Sequence, residues 1–205
     1  MKERPILFSA PMVRALLAGT KTQTRRALRN GTWWTPEHGV IRMAPAGLAC
    51  TGFAHVACPY GVPGDRLWVR ETFAGSIAYE RHGYALKDWG NKLWYVADGE
   101  PRSGQWTRPR PSIHMPRCLS RITLEVTGVR VERLQDISEA DAVAEGTPCY
   151  VCGGPMDGLS ESDCHCFHRK AAASDYRGLW GSINGAGSWD ANPWVWVVEF
   201  KRLEG

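Results

Sequence analysis

The chain has 205 residues, enough for one well-buried core or for a core with one appended lobe. Its hydrophobic content of 43% and charged content of 22% are typical of a soluble globular protein, and no apolar run is long enough to span a bilayer. The first five residues, Met-Lys-Glu-Arg-Pro, lack the apolar stretch of a signal peptide. The sequence therefore predicts a cytoplasmic protein with no membrane partner.

Basic residues are concentrated in two parts of the chain, although the formal net charge is only +4. Residues 1–31 carry seven basic side chains against one acidic one, and residues 102–133 carry seven arginines against two glutamates. Two such zones suit a phosphate-bearing ligand or a polyanion such as RNA. Solubility is the plainer interpretation of the same charges.

The first predicted elements are a short strand at 6–8 and an amphipathic helix from Ser9 to Ala18. Ser9 can cap the start of this helix, and Gly19 provides a residue that tolerates positive φ at its end. β-Branched threonines then alternate with longer polar side chains, which predicts a strand. Residues 19–26 therefore form a tight helix-to-strand corner that carries a lysine, hydroxyl groups and two arginines.

The rest of the chain predicts short strands around few helices. Ser138 can cap a helix that Gly146 closes, and the residues about Gly128 predict either a strand pair or one bulged strand. Without alternating βαβ units, this order predicts an α+β domain with a small barrel. The other predicted elements are strands at 66–74, 92–98, 122–131 and 194–202, a long excursion at 75–117 and a helix at 169–183.

Four landmarks resemble one known family. Gly19, Lys21, Thr24 and Arg26 form the pattern Gly-x-Lys-x-x-Thr-x-Arg, which resembles the signature of the ASCH family, small proteins related to the PUA-like RNA-binding barrels. Three later segments are similar to the same family, at 64–71, 137–146 and 194–200. The resemblance implies a single domain over 1–205, built as a PUA-like small β-barrel with flanking helices. It leaves 75–117 and 147–170 as insertions.

The resemblance also implies an activity. ASCH members similar to this chain hydrolyse the amide of N(4)-acetylcytidine to cytidine and acetate, using a lysine and a threonine of the corner and a glutamate of the later helix. By motif, the lysine and threonine are Lys21 and Thr24. The glutamate is Glu145, with Glu139 and Asp141 as nearby alternatives. The implied partner is a modified cytidine nucleoside.

Two mechanisms are open for these residues. Lys21 can deprotonate the Thr24 hydroxyl if its pKa falls well below the usual value, or Glu145 can activate water while charged Lys21 stabilises the oxyanion. A non-catalytic RNA-binding module with a zinc element, and a ribonuclease, are the alternative functions. The candidates for substrate binding are Arg25, Arg26, Glu71 and Trp68. A salt bridge on the strand is the other role open to Glu71.

Four cysteines predict a structural zinc site. Cys149 and Cys152 form one pair and Cys164 and Cys166 form the second, in a segment rich in Gly, Pro and Ser. In a cytosolic protein this spacing favours zinc over disulfides, with His168 as an alternative fourth ligand. Four thiolates leave no open coordination position, so the metal is expected to stabilise the 147–170 insertion and not to catalyse.

Overall fold

The computed structural model describes residues 1–29, 31–43, 53–85, 88–89, 92–101, 103–147 and 172–203. Its mixture of many strands and few helices agrees with the predicted α+β class. The strands are β1 (Glu3–Leu7), β2 (Gln23–Ala27), β3 (Thr32–Thr35), β4 (Gly39–Met43), β5 (Phe53–His55), β6 (Arg66–Arg70), β7 (Phe73–Gly75), β8 (Leu93–Tyr95), β9 (Thr123–Arg133) and β10 (Trp194–Leu203). The helices are α1 (Ala10–Ala18), α2 (Ile77–Arg81), α3 (Glu139–Ala144) and α4 (Ala172–Asn184).

A five-stranded sheet organises the fold, with the order β1-β6-β9-β10-β2. Strand β1 runs parallel to β6, and the other neighbours in this sheet are antiparallel. Among the described residues no backbone pairing joins the two edge strands β1 and β2, so the sheet is open at that point. Two smaller sheets, β3-β4-β5 and β7-β8, complete the strand structure.

The segment about Gly128 is one bulged strand, which decides between the two interpretations left open by the sequence. Strand β9 is continuous, and its register against β10 shifts between Glu199 and Phe200. Gly128 pairs with Glu199 and Val126 pairs with Phe200, so Thr127 is the extra residue. The bulge lets one long strand contact both β6 and β10.

The single strand expected at 66–74 is two strands in the structure. The pairing of β6 with β1 ends at Arg70, and its pairing with β9 ends at Trp68, so the chain beyond Arg70 has no partner in the main sheet. Phe73 then exchanges backbone hydrogen bonds with Arg110 and begins β7, which pairs with β8. Residues of the predicted 75–117 excursion thus provide the partner for β7. The strand expected at 92–98 is also shorter, because a 3-10 turn replaces it at Val96–Asp98.

Buried apolar residues form two clusters that meet the main sheet. Helix α1 contributes Met12, Val13 and Leu16 to the first cluster, together with residues of β1, β6, β9 and β10. Helices α3 and α4 pack in the second cluster with Val195 and Val197 of β10. Leu179 of α4 packs against both clusters. The helices that flank the edge strand β2 are therefore fixed by core packing.

The predicted cap of α3 is present. The Ser138 hydroxyl accepts a hydrogen bond from the Asp141 backbone N–H over 3.1 Å. Replacing Ser138 with alanine is expected to lower the free energy of unfolding by about 1 kcal/mol, because this N–H loses its partner. Urea denaturation measures the change. Ser76 is a matched control, since it occupies the same position before α2 without a side-chain cap bond, and Ser76→Ala should change stability much less.

No helix within the described ranges is both long enough and apolar enough to cross a bilayer.

Candidate functional site

The helix-to-strand corner brings Lys21 against Glu145, although 124 positions separate them in the chain. Helix α1 ends at Gly19, whose φ of 79° lets the chain turn back toward β2. The Thr22 backbone N–H then donates to the Ala144 carbonyl over 2.8 Å, which attaches the corner to the end of α3. As a result, Lys21 Nζ donates to Glu145 Oε2 over 2.9 Å and to the Glu145 main-chain oxygen over 2.6 Å.

Gly146 makes this close approach possible. Its φ is 65°, and a Cβ at this position would lie 2.8 Å from the Cβ atoms of both Ala15 and Lys21. Real Cβ atoms almost never approach so closely. A side chain here would therefore push α1 and the corner away from Glu145. The segment Ala144-Glu145-Gly146, which belongs to the family-like stretch 137–146, thus provides the glutamate and also packs directly against the corner.

Burial dominates the electrostatics of Lys21. Its side chain is almost wholly buried, and burial lowers the pKa of the ammonium from its usual value. The Glu145 carboxylate opposes this shift, while Arg26 and Arg25 add to it. The net effect is a lowered pKa for Lys21, which makes its proton easier to remove.

A cavity of about 160 Å³ lies beside this pair. Lys21, Thr24 and Glu145 all line it, as do Arg25 and Arg26. Its apolar wall comes from the start of α1 and from one face of α4, and includes Phe8, Met12, Tyr176, Leu179 and Trp180. The three residues predicted to catalyse and two of the four predicted to bind substrate therefore share one cavity.

The two arginines of the corner, Arg25 and Arg26, differ in their burial and in their partners. The Arg25 side chain is 0% exposed and forms ion pairs with Glu132, Asp141 and Glu145 over 3.1, 3.2 and 3.4 Å. Arg26 is half-buried, with one nitrogen donating to the Leu7 carbonyl over 2.7 Å, and its Nε has no partner among the described residues. Arg25 Nε likewise has no partner there, but both terminal nitrogens of Arg25 meet carboxylates, whereas Arg26 forms no ion pair among the described residues.

Glu71 and Trp68 lie outside this cavity, so the structure does not group them with the other predicted site residues. Both Glu71 oxygens accept hydrogen bonds from Arg121 over 2.9 Å, and Arg121 also pairs with Asp98. Burial raises the pKa of Glu71, and Arg121 opposes the shift. Glu71 thus occupies the alternative role of a salt-bridge partner.

Trp68 lies on β6, where the Arg70 guanidinium is 5.4 Å from its ring centre. Its neighbours Leu67 and Val69 alternate with it and point into the core, so Trp68 is on the opposite face of the sheet.

Sequence reasoning did not assign the wall of α4 to the site. The helix predicted at 169–183 carries Tyr176, Leu179, Trp180 and Ile183 at helical spacing, and this spacing was the available signal. It did not indicate that the face would lie opposite the Lys21 corner. Trp180 is the most informative of these residues, because its indole Nε1 is buried and has no hydrogen-bond partner among the described residues. A buried N–H of this kind needs an acceptor, which a ligand in the cavity can provide.

The predicted zinc ligands Cys149, Cys152, Cys164 and Cys166 lie outside the described residues, as does His168. Among the residues that the structure does describe, no group of three or more His, Cys, Asp or Glu side chains could hold a metal ion. Cys58 and Cys118 are free thiols.

The zinc prediction from the sequence is directly testable. Freshly purified, reduced protein is expected to contain about one zinc per chain, because four thiolates satisfy tetrahedral Zn²⁺. Elemental analysis measures the metal content. The double variant Cys149→Ser/Cys152→Ser should lose the zinc, while Cys118→Ser, which changes an exposed free thiol, should retain it. Metal-free wild-type protein would contradict the prediction.

Comparison of the chain with protein-family models, with curated proteins and with solved structures found no match.

Proposed function

We propose that the protein is an amidohydrolase that cleaves the acyl amide of N(4)-acetylcytidine or a related N(4)-acylated cytosine nucleoside. The observation that carries the proposal is the buried Lys21–Glu145 pair, which shares a cavity with Thr24. Amide hydrolysis needs a nucleophile, a group that moves protons and a donor for the oxyanion, and these three side chains can supply them. The resemblance of the corner to ASCH members gives the substrate class.

The fold that we propose together with this activity is a PUA-like barrel. Contacts between the two edge strands of the main sheet support it. Arg26 of β2 donates to the carbonyl of Leu7 in β1, and its guanidinium lies 5.3 Å from the ring centre of Phe8. Phe8 also packs edge-to-face on Phe200 of β10 at 6.2 Å. Side chains thus bridge the opening that backbone pairing leaves between β1 and β2.

In the arrangement that we favour, Lys21 is the base. A neutral lysine amine has two N–H donors and one lone pair. The Glu145 main-chain oxygen and Oε2 are acceptors for both donors, so neither contact uses the lone pair. Thr24 lines the same cavity, and its hydroxyl is the group from which this lone pair would take a proton. The lowered pKa of Lys21 favours this role over that of a permanently charged oxyanion donor. Glu145 then fixes the amine and balances the charge when Lys21 becomes protonated.

The reaction proceeds in two halves. The Thr24 oxygen attacks the acyl carbonyl carbon while its proton passes to Lys21. The tetrahedral intermediate then breaks its C–N bond, and the cytosine amino group leaves with the proton from Lys21. Water attacks the resulting Thr24 ester and gives a proton to Lys21, which passes it to the Thr24 oxygen as the carboxylic acid departs. The sum is one amide and one water converted to one amine and one carboxylic acid.

The size of the cavity indicates which part of the substrate enters. A volume of 160 Å³ is smaller than the roughly 300 Å³ at which pockets for drug-sized ligands begin. We expect the acyl group and part of the cytosine ring to fill it, with an acceptor oxygen of the ligand on Trp180 Nε1. The ribose then lies at the mouth, where Leu7 and Ile183 are exposed apolar residues.

One surface favours the second candidate, a non-catalytic RNA-binding module. Arg70 stacks near Trp68, and Arg70 is the register partner of Leu7, which lines the cavity. Neither Arg70 nor Arg66 forms an ion pair among the described residues. Aromatic and cationic side chains of this kind bind single-stranded RNA, and such binding weakens steeply with salt.

Incubation with N(4)-acetylcytidine distinguishes the two functions. The wild-type protein is expected to release cytidine and acetate in equal amounts, measured by chromatography, and to bind RNA no more tightly than other basic proteins do. Trp68→Ala, which lies outside the cavity, is the matched control and should retain activity. The hydrolase proposal would be rejected if the protein turned over no N(4)-acylated cytidine. If it also bound RNA in a salt-sensitive way, and Trp68→Ala abolished that binding, the protein would be an RNA-binding module.

A further inference from the structure

Arg25 is the only arginine side chain among the ion pairs of the described residues that is fully excluded from solvent. It lies between three carboxylates from two parts of the chain. Glu132 is on β9, Asp141 is in α3, and Glu145 directly follows α3. Its NH1 donates to Glu145 Oε1, the oxygen that Lys21 does not use.

A second arginine extends the cluster away from the cavity. Arg130 of β9 pairs with Asp141 over 3.1 Å, and also with Glu132 and Glu199. Two of the carboxylates that hold Arg25 are thus shared with Arg130. Arg25 and Glu145 are the members of the cluster that line the cavity, whereas Arg130 and Glu132 lie outside it.

We propose that Arg25 is a positioning residue that acts through Glu145: it holds Oε1 so that Oε2 meets Lys21. Its positive charge also favours the neutral form of the Lys21 amine. This role differs from direct substrate binding, because both terminal nitrogens of Arg25 already meet carboxylates and only its Nε has no partner among the described residues. Its effect on activity rests on the proposed amidohydrolase function. Its effect on Lys21 does not.

The charges around Lys21 determine the sign of the effect. From β2, Arg25 and Arg26 favour the neutral amine, and burial acts in the same direction. Glu145 favours the ammonium. From α4, the Tyr176 hydroxyl is buried, and burial together with Glu145 raises its pKa well above the usual value, so it contributes no charge near neutral pH. Glu132 and Asp141 form ion pairs with Arg25 and so offset part of its positive charge.

Removing Arg25 and removing Glu132 should therefore shift the pH at which Lys21 titrates in opposite directions. Removing the cation in Arg25→Met should raise the pH at which Lys21 titrates, because the charge of Arg25 is one of the causes that lower the pKa of Lys21. Removing a balancing anion in Glu132→Gln should lower it by a smaller amount. If the two substitutions merely loosened the protein, they would not be expected to shift the Lys21 titration in opposite directions.

NMR of the full-length protein with labelled lysine side chains measures the titration directly, and Lys21→Arg identifies the Lys21 signal. Arg133→Met is the matched control, because Arg133 is an exposed β9 arginine that donates to the Asn192 carbonyl and forms no ion pair among the described residues. It should leave the Lys21 midpoint unchanged. Arg25→Lys keeps the charge, so it should keep the midpoint while lowering kcat/KM at least roughly tenfold through loss of the fixed geometry.

The outcomes separate this inference from the proposed function. An unchanged Lys21 midpoint in both Arg25→Met and Glu132→Gln would overturn the role of Arg25, whatever the activity. If Arg25→Met does not fold, the sign of the shift in Glu132→Gln decides. Opposite shifts in a protein that hydrolyses no N(4)-acylated cytidine would support the role of Arg25 and reject the hydrolase.

Discussion

Replacing Lys21 with methionine is expected to lower kcat/KM for N(4)-acetylcytidine by at least roughly a thousandfold, since general-base and oxyanion contributions are each of about this size. The loss follows under either mechanism, because both need the Lys21 amine. The variant should also be less stable, by less than the roughly 3–5 kcal/mol lost when a buried charge is left with no partner, because Glu145 keeps Arg25 as a cationic partner. Steady-state kinetics and urea denaturation give the two values.

Lys21→Arg distinguishes the two roles of the lysine. Arginine keeps the positive charge beside Glu145 but cannot act as a base at any accessible pH. If Lys21 is the base, this variant should be as inactive as Lys21→Met while regaining part of the lost stability. Retained turnover in Lys21→Arg would favour activation of water by Glu145, and full activity in Lys21→Met would reject the catalytic role altogether.

Replacing Gly146 with alanine is expected to lower the free energy of unfolding by about 2–5 kcal/mol. About 1–2 kcal/mol comes from placing a Cβ in the left-handed backbone region, and roughly 1–3 kcal/mol comes from its contacts with Ala15 and Lys21. Part of the strain can be relieved by moving the corner away from Glu145. We therefore expect activity to fall as well, even in protein that remains folded.

Gly83 provides the matched control for this prediction. Its φ of 70° is close to that of Gly146, but a Cβ there would meet no atom within 4 Å. Gly83→Ala should therefore show the backbone effect alone and leave activity unchanged. If urea denaturation gives equal losses for the two variants, the tight contact between Gly146 and the corner has no energetic importance.

Local patterns predicted most of the elements near the site. The positive-φ residue after α1, the cap of α3 and the final strand all depend on neighbours within a few positions, and the structure contains each of them. Ser9 occupies the position before α1 as predicted, but its side chain makes no cap hydrogen bond. The convergence of Lys21, Thr24 and Glu145 was also expected, but only because the corner and the Ala-Glu-Gly segment resemble a known family. Their spacing in the sequence does not imply contact.

Non-local effects account for the remainder. Arg25, a candidate for substrate binding, lines the cavity and also meets carboxylates from β9 and α3, which are distant from it in the sequence. Glu71 follows a strand in a segment similar to the family, yet its partner Arg121 lies 50 positions away. Neither partner could be identified from local sequence. The strand predicted at 66–74 failed for a similar reason, because pairing with β1 and β9 determines where β6 ends.

A crystal structure of the Thr24→Ala variant with N(4)-acetylcytidine would test the proposed site most directly. This variant lacks the proposed nucleophile but keeps the Lys21–Glu145 pair, so the substrate should remain intact. We expect the acetyl group beside Lys21 Nζ, an acceptor oxygen of the ligand on Trp180 Nε1, and the ribose at the mouth near Leu7 and Ile183. A ligand bound instead beside Trp68 and Arg70, with the cavity empty, would contradict the assignment of Lys21, Thr24 and Glu145 as the catalytic residues.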